Sequence, residues 1–328
     1  MTGEFDPNNN FIINILRKKY DVILSDSPDY LIFSLGSKDW YKFRCIRIYY
    51  TPENLVPDFN LADYAIGFSD LKFLDRYFQL PIYLVNSFHA YKNDDYGKSL
   101  KLAMEKHLHP EIHKNFCSFV YSNSKAAPCR EQFFDELSKY KKVDSGGRYR
   151  NNIGHPIESK FDFQKNYRFA LAFENTSTPG YTTEKLVDAF AAGTIPIYWG
   201  DPEVGKIFNN KAFINCNEYG LDGYDTENNI PIIHKIIEKI TNIENHPEML
   251  LQMLKQPAFN NPAYVSIMQK GFEEFLYHIF DQELDQAFRR NRYYWGERYE
   301  KRQKLGTQTY SLLNNFRPKM WFSLFRKK

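Results

Sequence analysis

The sequence predicts an α/β protein with parallel strands, long enough at 328 residues for two domains, and two observations predict it. The first is a strand–helix–strand unit across residues 167–204. It has an apolar run at 168–173, a helical pattern at 182–192 and a second apolar run at 194–199. A unit of this length is typical of a parallel crossover. The second observation is a series of short apolar runs, separated by turn residues, in the amino-terminal part.

The amino-terminal part predicts one helix followed by short strands. The helix is expected at residues 8–20, where apolar side chains recur at helical spacing and an asparagine near its start can cap it. Strands are expected at residues 22–25, 30–34, 45–50, 64–68 and 82–85. Domains of this kind usually begin with a buried strand, so we expect the first strand to be missing or the domain to be trimmed.

Residues 100–113 predict a polar helix or linker that carries His107, His109 and His113. Their spacing, with Pro110 between them, does not match a helical set of metal ligands. The pattern favours a cluster of surface histidines, and no metal site is predicted.

The carboxyl-terminal part adds strands and helices around the strand–helix–strand unit. The predicted elements are a strand at 116–121, a helix at 129–140, a strand at 213–216, helices at 230–240 and 248–254, and one long helical region at 263–288. The glycine-rich segment 144–152 is not a phosphate-binding P-loop, because no G-K-[ST] and no helix follow it.

Two of the predicted helices carry a cation in their first turn, Lys185 and Arg130, each after the loop that follows a strand. A helix amino terminus disfavours positive charge unless something negative lies nearby. One interpretation is that the neighbouring carboxylates, Glu184 and Glu131, are the partners. The other is a bound diphosphate, since helix amino termini after parallel strands bind anions. Two instances of the same placement favour the diphosphate.

Glu53 lies in a polar turn, Thr51 to Asn54, directly after the strand predicted at 45–50. It therefore faces the same kind of sheet edge as the polar loop after residue 173. A single glutamate in a turn is usually only solvated, so the pattern alone does not assign it a function.

Cysteines and hydropathy predict a cytoplasmic protein. The four cysteines lie far apart without a C-x-x-C pair, which argues against a disulfide framework and for a reducing compartment. The amino terminus is polar, and no apolar run approaches the length that spans a bilayer.

The segment 289–328 is basic and aromatic, with twelve Lys or Arg against two Glu. Its aromatic side chains include Phe316, Trp321, Phe322 and Phe325. This composition favours contact with an anionic membrane surface, and hence a protein peripheral to the inner membrane. Nucleic acid is the rival partner and is not expected, and a docked helix with a disordered end is a third interpretation.

Three stretches resemble one known family. Residues 169–200, FALAFENTSTPGYTTEKLVDAFAAGTIPIYWG, resemble the donor-binding motif of the α1,3/4-fucosyltransferases of bacterial type, which use GDP-fucose. Residues 48–68, IYYTPENLVPDFNLADYAIGF, are similar to that family's acceptor-side segment. Residues 119–137, FVYSNSKAAPCREQFFDEL, are similar to the start of its donor domain. The matches run in the family's order over most of residues 40–215.

The resemblance implies a GT-B fold, which has two facing Rossmann-like domains with the active site in the cleft between them. An acceptor domain is then expected at residues 1–112, a GDP-fucose-binding domain at 113–288, and the basic aromatic tail at 289–328.

The resemblance also implies roles for six residues. Glu53 corresponds to the proposed general base, and Arg130 and Lys185 to the residues that hold the GDP pyrophosphate. Asn175, Tyr181 and Glu184 fall on positions that contact the nucleotide or the fucose.

The implied activity is inverting transfer of fucose from GDP-fucose to a GlcNAc hydroxyl, with α1,3-linkage favoured. The expected acceptor is a glycan such as N-acetyllactosamine in lipopolysaccharide. No D-x-D motif is present, so no metal or other cofactor is expected. The alternatives are a glycosyltransferase for another nucleotide sugar, or a catalytically silent protein that binds a nucleotide or a glycan.

Overall fold

The computed structural model describes residues 8–35, 37, 39–88, 95–108, 110–112 and 114–315. In chain order the elements are α1 (Phe11–Leu16), β1 (Tyr30–Ser34), β2 (Ile46–Tyr50), β3 (Tyr64–Gly67), β4 (Tyr77–Gln79), α2 (Ile82–Phe88), α3 (Asp95–Glu105), β5 (Asn115–Phe119), α4 (Cys129–Tyr140), β6 (Val143–Ser145), α5 (Lys160–Gln164), β7 (Tyr167–Phe173), α6 (Glu184–Ala191), β8 (Ile195–Trp199), β9 (Ile214–Asn215), α7 (Asn229–Asn245), α8 (Pro247–Leu254), α9 (Tyr264–Phe280), α10 (Leu284–Ala287) and α11 (Trp295–Asn315). Every strand pair is parallel.

The described residues divide into two compact units, each built on one sheet. The first unit takes described residues up to 67, 71–79 and those from 273 onward, and its sheet has the order β1-β2-β3-β4. The second unit takes 68–70 and 80–272, and its sheet has the order β6-β5-β7-β8-β9. Both units are therefore α/β layers with parallel strands, as the sequence predicts.

The observed units are discontinuous in sequence, so they differ from the boundaries predicted at 112 and 288. Residues from 80 onward belong to the second unit because α3 packs against α6. Residues after 272 belong to the first unit. There the buried carboxylate of Asp63 accepts hydrogen bonds from the backbone amides of Arg289 and Arg290 and from Arg290 Nε. The start of the predicted tail is thus anchored beside β3.

Two strands predicted for the first unit are wrong. Residues 21–25 form no regular element, and Ile23 is 78% exposed. Residues 82–85 begin helix α2 of the second unit, while the fourth strand, β4, lies at 77–79. Residues 82–85 are all buried. A short, continuously apolar run has no alternation of polar and apolar residues that would distinguish a strand from a helix.

The core of the second unit lies on both faces of its sheet. On one face α4 and α7 cover β5, β7 and β8, and Phe119, Phe133, Phe173 and Trp199 are buried in one cluster. β7 is buried along almost its whole length, which explains its continuous apolar sequence. α6 begins at a threonine cap, Thr183, and packs against β7 and β8.

Several carboxyl-terminal predictions need correction or fall outside the described residues. The helical region predicted at 263–288 is broken between α9 and α10, and β6 and α5 are additional elements. The predicted tail contains the largely exposed helix α11, and its aromatic residues Phe316, Trp321, Phe322 and Phe325 lie outside the described residues. Among the described residues, no helix is long and apolar enough to cross a membrane. All four cysteines are free thiols.

Candidate active site

The two helices predicted to carry a cation in their first turn follow β5 and β7, which are neighbours in the second sheet. From β5 the chain moves to one side, to β6, and then returns to the other side at β7. This reversal of strand order opens a crevice at the carboxyl ends of the two strands, which is where open α/β sheets bind ligands. Arg130 lies in the first turn of α4 after β5, and Lys185 lies in the first turn of α6 after β7.

Arg130 is a buried cation, and no carboxylate among the described residues pairs with it. It is only 1% exposed, and its guanidinium donates to Asn123 O at 2.7 Å and to Asn175 Oδ1 at 3.2 Å. The guanidinium also lies 4.4 Å from the centre of the Tyr121 ring. No described residue accepts a hydrogen bond from its Nε or forms an ion pair with it. The alternative partner, Glu131, instead accepts a hydrogen bond from the Tyr149 hydroxyl.

Lys185, in contrast, is held by a carboxylate that the sequence analysis missed. Its ammonium contacts Glu174 Oε2 at 3.1 Å and Thr183 Oγ1 at 2.8 Å, whereas Glu184 is 3.7 Å away. Burial is the largest single effect and opposes the charge, but the attractions of Glu174, Glu184 and Tyr121, with Glu174 foremost, together outweigh it and raise the pKa of Lys185. The neighbouring Glu184 is therefore not the main partner of this lysine.

Tyr121 lies beside Arg130 and links the two junctions. Its hydroxyl lies among Leu171 O, Phe173 O and Phe173 N, at 3.1, 3.1 and 2.6 Å, and so ties the loop after β5 to the end of β7. Burial raises the pKa of Tyr121, while Arg130 and Lys185 both act in the opposite direction. Tyr121 thus ties the junction that carries Arg130 to the strand that precedes Lys185.

Asn175 and Tyr181 lie in the loop between β7 and α6. Asn175 accepts a hydrogen bond from Arg130 through its side chain, and its carbonyl accepts the Ala127 amide at 2.8 Å. The Tyr181 side chain is buried, and its ring packs edge to face on Phe68 with the centres 4.9 Å apart. The structure therefore places Arg130, Asn175, Tyr181, Glu184 and Lys185 in loops and helix starts at one end of one sheet.

Asp201, after β8, fixes the shape of this loop. Its carboxylate accepts the Gly180 amide and the Thr182 hydroxyl, both at 2.9 Å, and the Glu203 amide at 2.9 Å. Burial raises the pKa of Asp201, while these hydrogen bonds act in the opposite direction. Asp201 and Glu174 are functional candidates that sequence analysis missed. Glu174 directly follows the buried strand β7, and Asp201 follows β8 after a single glycine. An acidic residue at the end of a buried apolar strand is the signal that could have found them.

Glu53 belongs to the first unit, in the turn after β2. Its side chain is exposed, and its backbone amide donates to the Thr51 hydroxyl at 3.1 Å. The structure thus confirms its place after the carboxyl end of a strand. Within the described residues, no group of three His, Cys, Asp or Glu is arranged to hold a metal ion, and His109 and His113 lie outside them.

Comparisons with known proteins identify the family of this chain. Residues 1–86 match the family model "Alpha-(1,3)-fucosyltransferase FucT N-terminal domain", and residues 110–222 match "Glycosyltransferase family 10 (fucosyltransferase) C-term". A crystal structure of an α1,3-fucosyltransferase with GDP is 30% identical, has a TM-score of 0.63, and is matched over 82% of this chain and 85% of that one. The chain belongs to the α1,3-fucosyltransferase family.

Two further comparisons show how far the likeness extends. A crystal structure of an α1,3-fucosyltransferase with GDP-fucose is 29% identical, with a TM-score of 0.62 and coverage of 83% of this chain and 86% of that one. The α-(1,3)-fucosyltransferase FucT of Helicobacter pylori is 36% identical over 283 residues, or 77% of this chain. The match spans 57% of the length of that relative. The likeness to the solved family structures shows that the two parallel-sheet Rossmann-like units form a GT-B fold.

Proposed function

We propose that this protein transfers fucose from GDP-fucose to a GlcNAc hydroxyl of a glycan, with inversion at the anomeric carbon. One observation carries the proposal: Arg130 is an almost completely buried guanidinium without a described carboxylate partner, at the strand-order reversal of a sheet. A buried charge needs a compensating group, and a nucleoside diphosphate at this crevice would supply it. Membership of the fucosyltransferase family supports GDP-fucose as that ligand.

The residues of the second unit would bind the donor and stabilise its departure. As the bond from fucose to GDP breaks, negative charge develops on the leaving diphosphate. Arg130 and Lys185 would stabilise that charge together with the free amides at the start of α6. Asn175, Tyr181 and Glu184 would contact the nucleotide or the fucose, and Glu184 has the carboxylate needed to accept hydrogen bonds from sugar hydroxyls.

Glu53 would act as the general base, taking the proton of the acceptor hydroxyl as that oxygen attacks the anomeric carbon. Its exposed side chain leaves it accessible to such a hydroxyl. We expect two cationic side chains to replace a metal ion in neutralising the diphosphate, so that no cofactor is required.

The acceptor, partners and location extend the same proposal. N-acetyllactosamine in lipopolysaccharide is the acceptor we favour, with an α1,3-linkage. The basic segment after residue 289 would hold the protein on the cytoplasmic surface of the inner membrane, and no nucleic-acid partner is proposed. The excess of Lys and Arg in that segment supports an anionic surface as its partner.

The proposal is tested by incubating the protein with GDP-fucose and N-acetyllactosamine in the presence of a chelator, and by identifying the product linkage. We expect an α1,3-fucosylated product and competition by GDP but not by UDP. Competition by UDP instead would support a transferase for another nucleotide sugar. Tight GDP binding without transfer to any acceptor would support a catalytically silent binding protein.

Glu53→Gln tests the base. It should reduce turnover far more than it reduces GDP affinity, because loss of a general base commonly costs about 100-fold or more in rate. Glu283→Gln is the matched control, since Glu283 is also exposed and lies in the same unit. Equal losses of turnover and GDP affinity in Glu53→Gln would contradict the assignment.

A further inference from the structure

Glu174 is the first residue after β7, and its side chain is completely buried. Its oxygen Oε1 accepts the Thr183 amide at 2.7 Å. Its oxygen Oε2 accepts the Thr183 hydroxyl at 2.7 Å and the Lys185 ammonium at 3.1 Å. One carboxylate therefore binds the cap of α6, an amide at its start and the cation in its first turn.

The contacts of Lys185 follow from this carboxylate. The Thr183 hydroxyl donates to Glu174 and accepts from the lysine at 2.8 Å, so that Glu174, Thr183 and Lys185 form a closed set of hydrogen bonds. Glu184 competes for the same ammonium from 3.7 Å and is 28% exposed. A flexible lysine side chain without Glu174 would pair with Glu184, away from its present position.

The end of β8 leaves space for Glu174. A Cβ atom on Gly200 would lie 2.4 Å from Glu174 Cγ and 2.7 Å from its Cβ, which no side chain tolerates without movement. Gly200 also has a φ of 155°, a conformation that favours glycine. The ends of two neighbouring strands and the start of α6 are thus shaped around one acidic side chain.

We propose that Glu174 is a positioning residue of the donor site, which holds the Lys185 ammonium at the start of α6, in place for the diphosphate. The inference rests on the proposed function, because it takes the diphosphate of the donor as the ligand of Lys185. Glu174 does not touch that ligand, since all its contacts are within the protein and its side chain has no exposed surface.

Two physical effects of Glu174 on diphosphate binding have opposite signs. As a negative charge close to the site, Glu174 repels the ligand, so its neutralisation would strengthen binding. As the anchor of Lys185, it places a cation whose charge-assisted hydrogen bonds depend on geometry, so its neutralisation would weaken binding. The direction of the change in affinity therefore distinguishes positioning from simple repulsion.

The test measures GDP and guanosine affinity by calorimetry for the full chain and for Glu174→Gln, Lys185→Ala and the double variant. We expect Glu174→Gln to weaken GDP binding about fivefold and to leave guanosine binding unchanged, since only the diphosphate meets Lys185. In the Lys185→Ala background the same substitution should no longer weaken GDP binding, because the residue that Glu174 positions is gone and only the relief of repulsion remains.

Asp188→Asn is the matched control. Asp188 is a buried carboxylate of α6, and it pairs with Lys160 at 2.8 Å instead of with Lys185. We expect this variant to bind GDP as the unmodified protein does. If Glu174→Gln does not fold, Thr183→Val, which removes the hydroxyl shared by Glu174 and Lys185, is compared with Thr183→Ser, which keeps it.

Tighter or unchanged GDP binding by Glu174→Gln would overturn the inference, and so would an equal loss in the presence and absence of Lys185. Either result, with GDP still bound by the unmodified protein and weakened by Lys185→Ala, leaves the proposed function standing. An unmodified protein that binds no GDP would overturn both.

Discussion

The junctions β5–α4 and β7–α6 both place a cation in the first turn of a helix, yet they stabilise it differently. Arg130 is buried against the Tyr121 ring and two oxygen acceptors, and no described carboxylate pairs with it. Lys185 is partly buried and pairs with the carboxylate of Glu174. The same structural position is therefore left positive in one junction and neutralised in the other.

The chemistry of the two side chains explains the difference. A guanidinium spreads its charge over a plane that stacks on aromatic rings and is weakly hydrated, so an aromatic face and carbonyl oxygens can accommodate it. An ammonium is compact and strongly hydrated, and its burial without a carboxylate lowers its pKa. The lysine junction therefore needs a carboxylate to keep its cation charged, whereas the arginine junction does not.

This difference ranks the two cations as anion ligands. No described carboxylate compensates the charge of Arg130, so an incoming diphosphate gains more of its attraction. The charge of Lys185 is already shared with Glu174, so the ligand gains less from it. We expect Arg130 to contribute more to donor affinity, and this ranking can be tested.

Arg130→Ala should have the largest effect. Charge-assisted hydrogen bonds contribute about 1.5–3 kcal/mol, so we expect GDP affinity to fall about 100-fold, as measured by calorimetry. Arg150→Ala is the control, because Arg150 packs over Phe134 of the same helix but pairs with Asp135. A loss smaller than that of Lys185→Ala would reverse the ranking.

Gly200→Ala should destabilise the lysine junction. The new methyl group would overlap Glu174 Cγ, so we expect a loss of about 2 kcal/mol in the free energy of unfolding, measured by denaturant titration. Gly220→Ala separates crowding from backbone strain, since Gly220 has a φ of 78° but no atom within 4 Å of the added Cβ. Equal losses in the two variants would show that the crowding of Glu174 costs nothing.

The elements around these junctions could be predicted from the sequence because local patterns specify them. The helix predicted at 129–140 has those bounds in the structure, and the strands predicted at 168–173 and 194–199 correspond to β7 and β8. Long amphipathic or fully buried segments with clear caps carry a strong signal. The strands predicted at 22–25 and 82–85 were wrong because short apolar runs carry little information about the type of secondary structure.

The partners of the two cations could not be predicted, because they depend on tertiary contacts. The sequence offered Glu184 and Glu131 as neighbouring partners. In the structure Lys185 contacts Glu174, eleven positions away, and no described carboxylate pairs with Arg130. Only the folded sheet brings the end of β7 under the start of α6. The placement of both cations at one sheet end was nevertheless predicted correctly.

Lys185→Ala should reduce GDP affinity about tenfold, less than Arg130→Ala, because part of the lysine charge is already engaged by Glu174. Removal of the lysine also leaves Glu174 buried without its cation, so a lower melting temperature is expected as well. Lys206→Ala is the control, since Lys206 is an exposed lysine of the same unit. Unchanged GDP affinity in Lys185→Ala would remove this residue from the donor site.

The smallest expected effect is on the pH dependence of GDP binding, which should differ between the two junctions. The test follows Lys185, whose ammonium is the cation that readily shifts its pKa when it is buried. Glu174 raises the pKa of Lys185, and a raised lysine pKa means that the charge is lost only as pH rises through that higher value. In the unmodified protein, this lysine should therefore stay charged up to about pH 9, below the ordinary lysine pKa of about 10.4.

In Glu174→Gln, burial would lower the pKa of Lys185 with less opposition, so its charge would begin to disappear within this range. The quantity to follow is the ratio of the GDP affinities of the variant and the unmodified protein, because titration of the ligand itself cancels in that ratio. We expect the ratio to fall from about pH 7.5 to about pH 9. A constant ratio would mean that Glu174 sets the position of Lys185 but not its charge, whereas a rising ratio would contradict the pairing of the two residues.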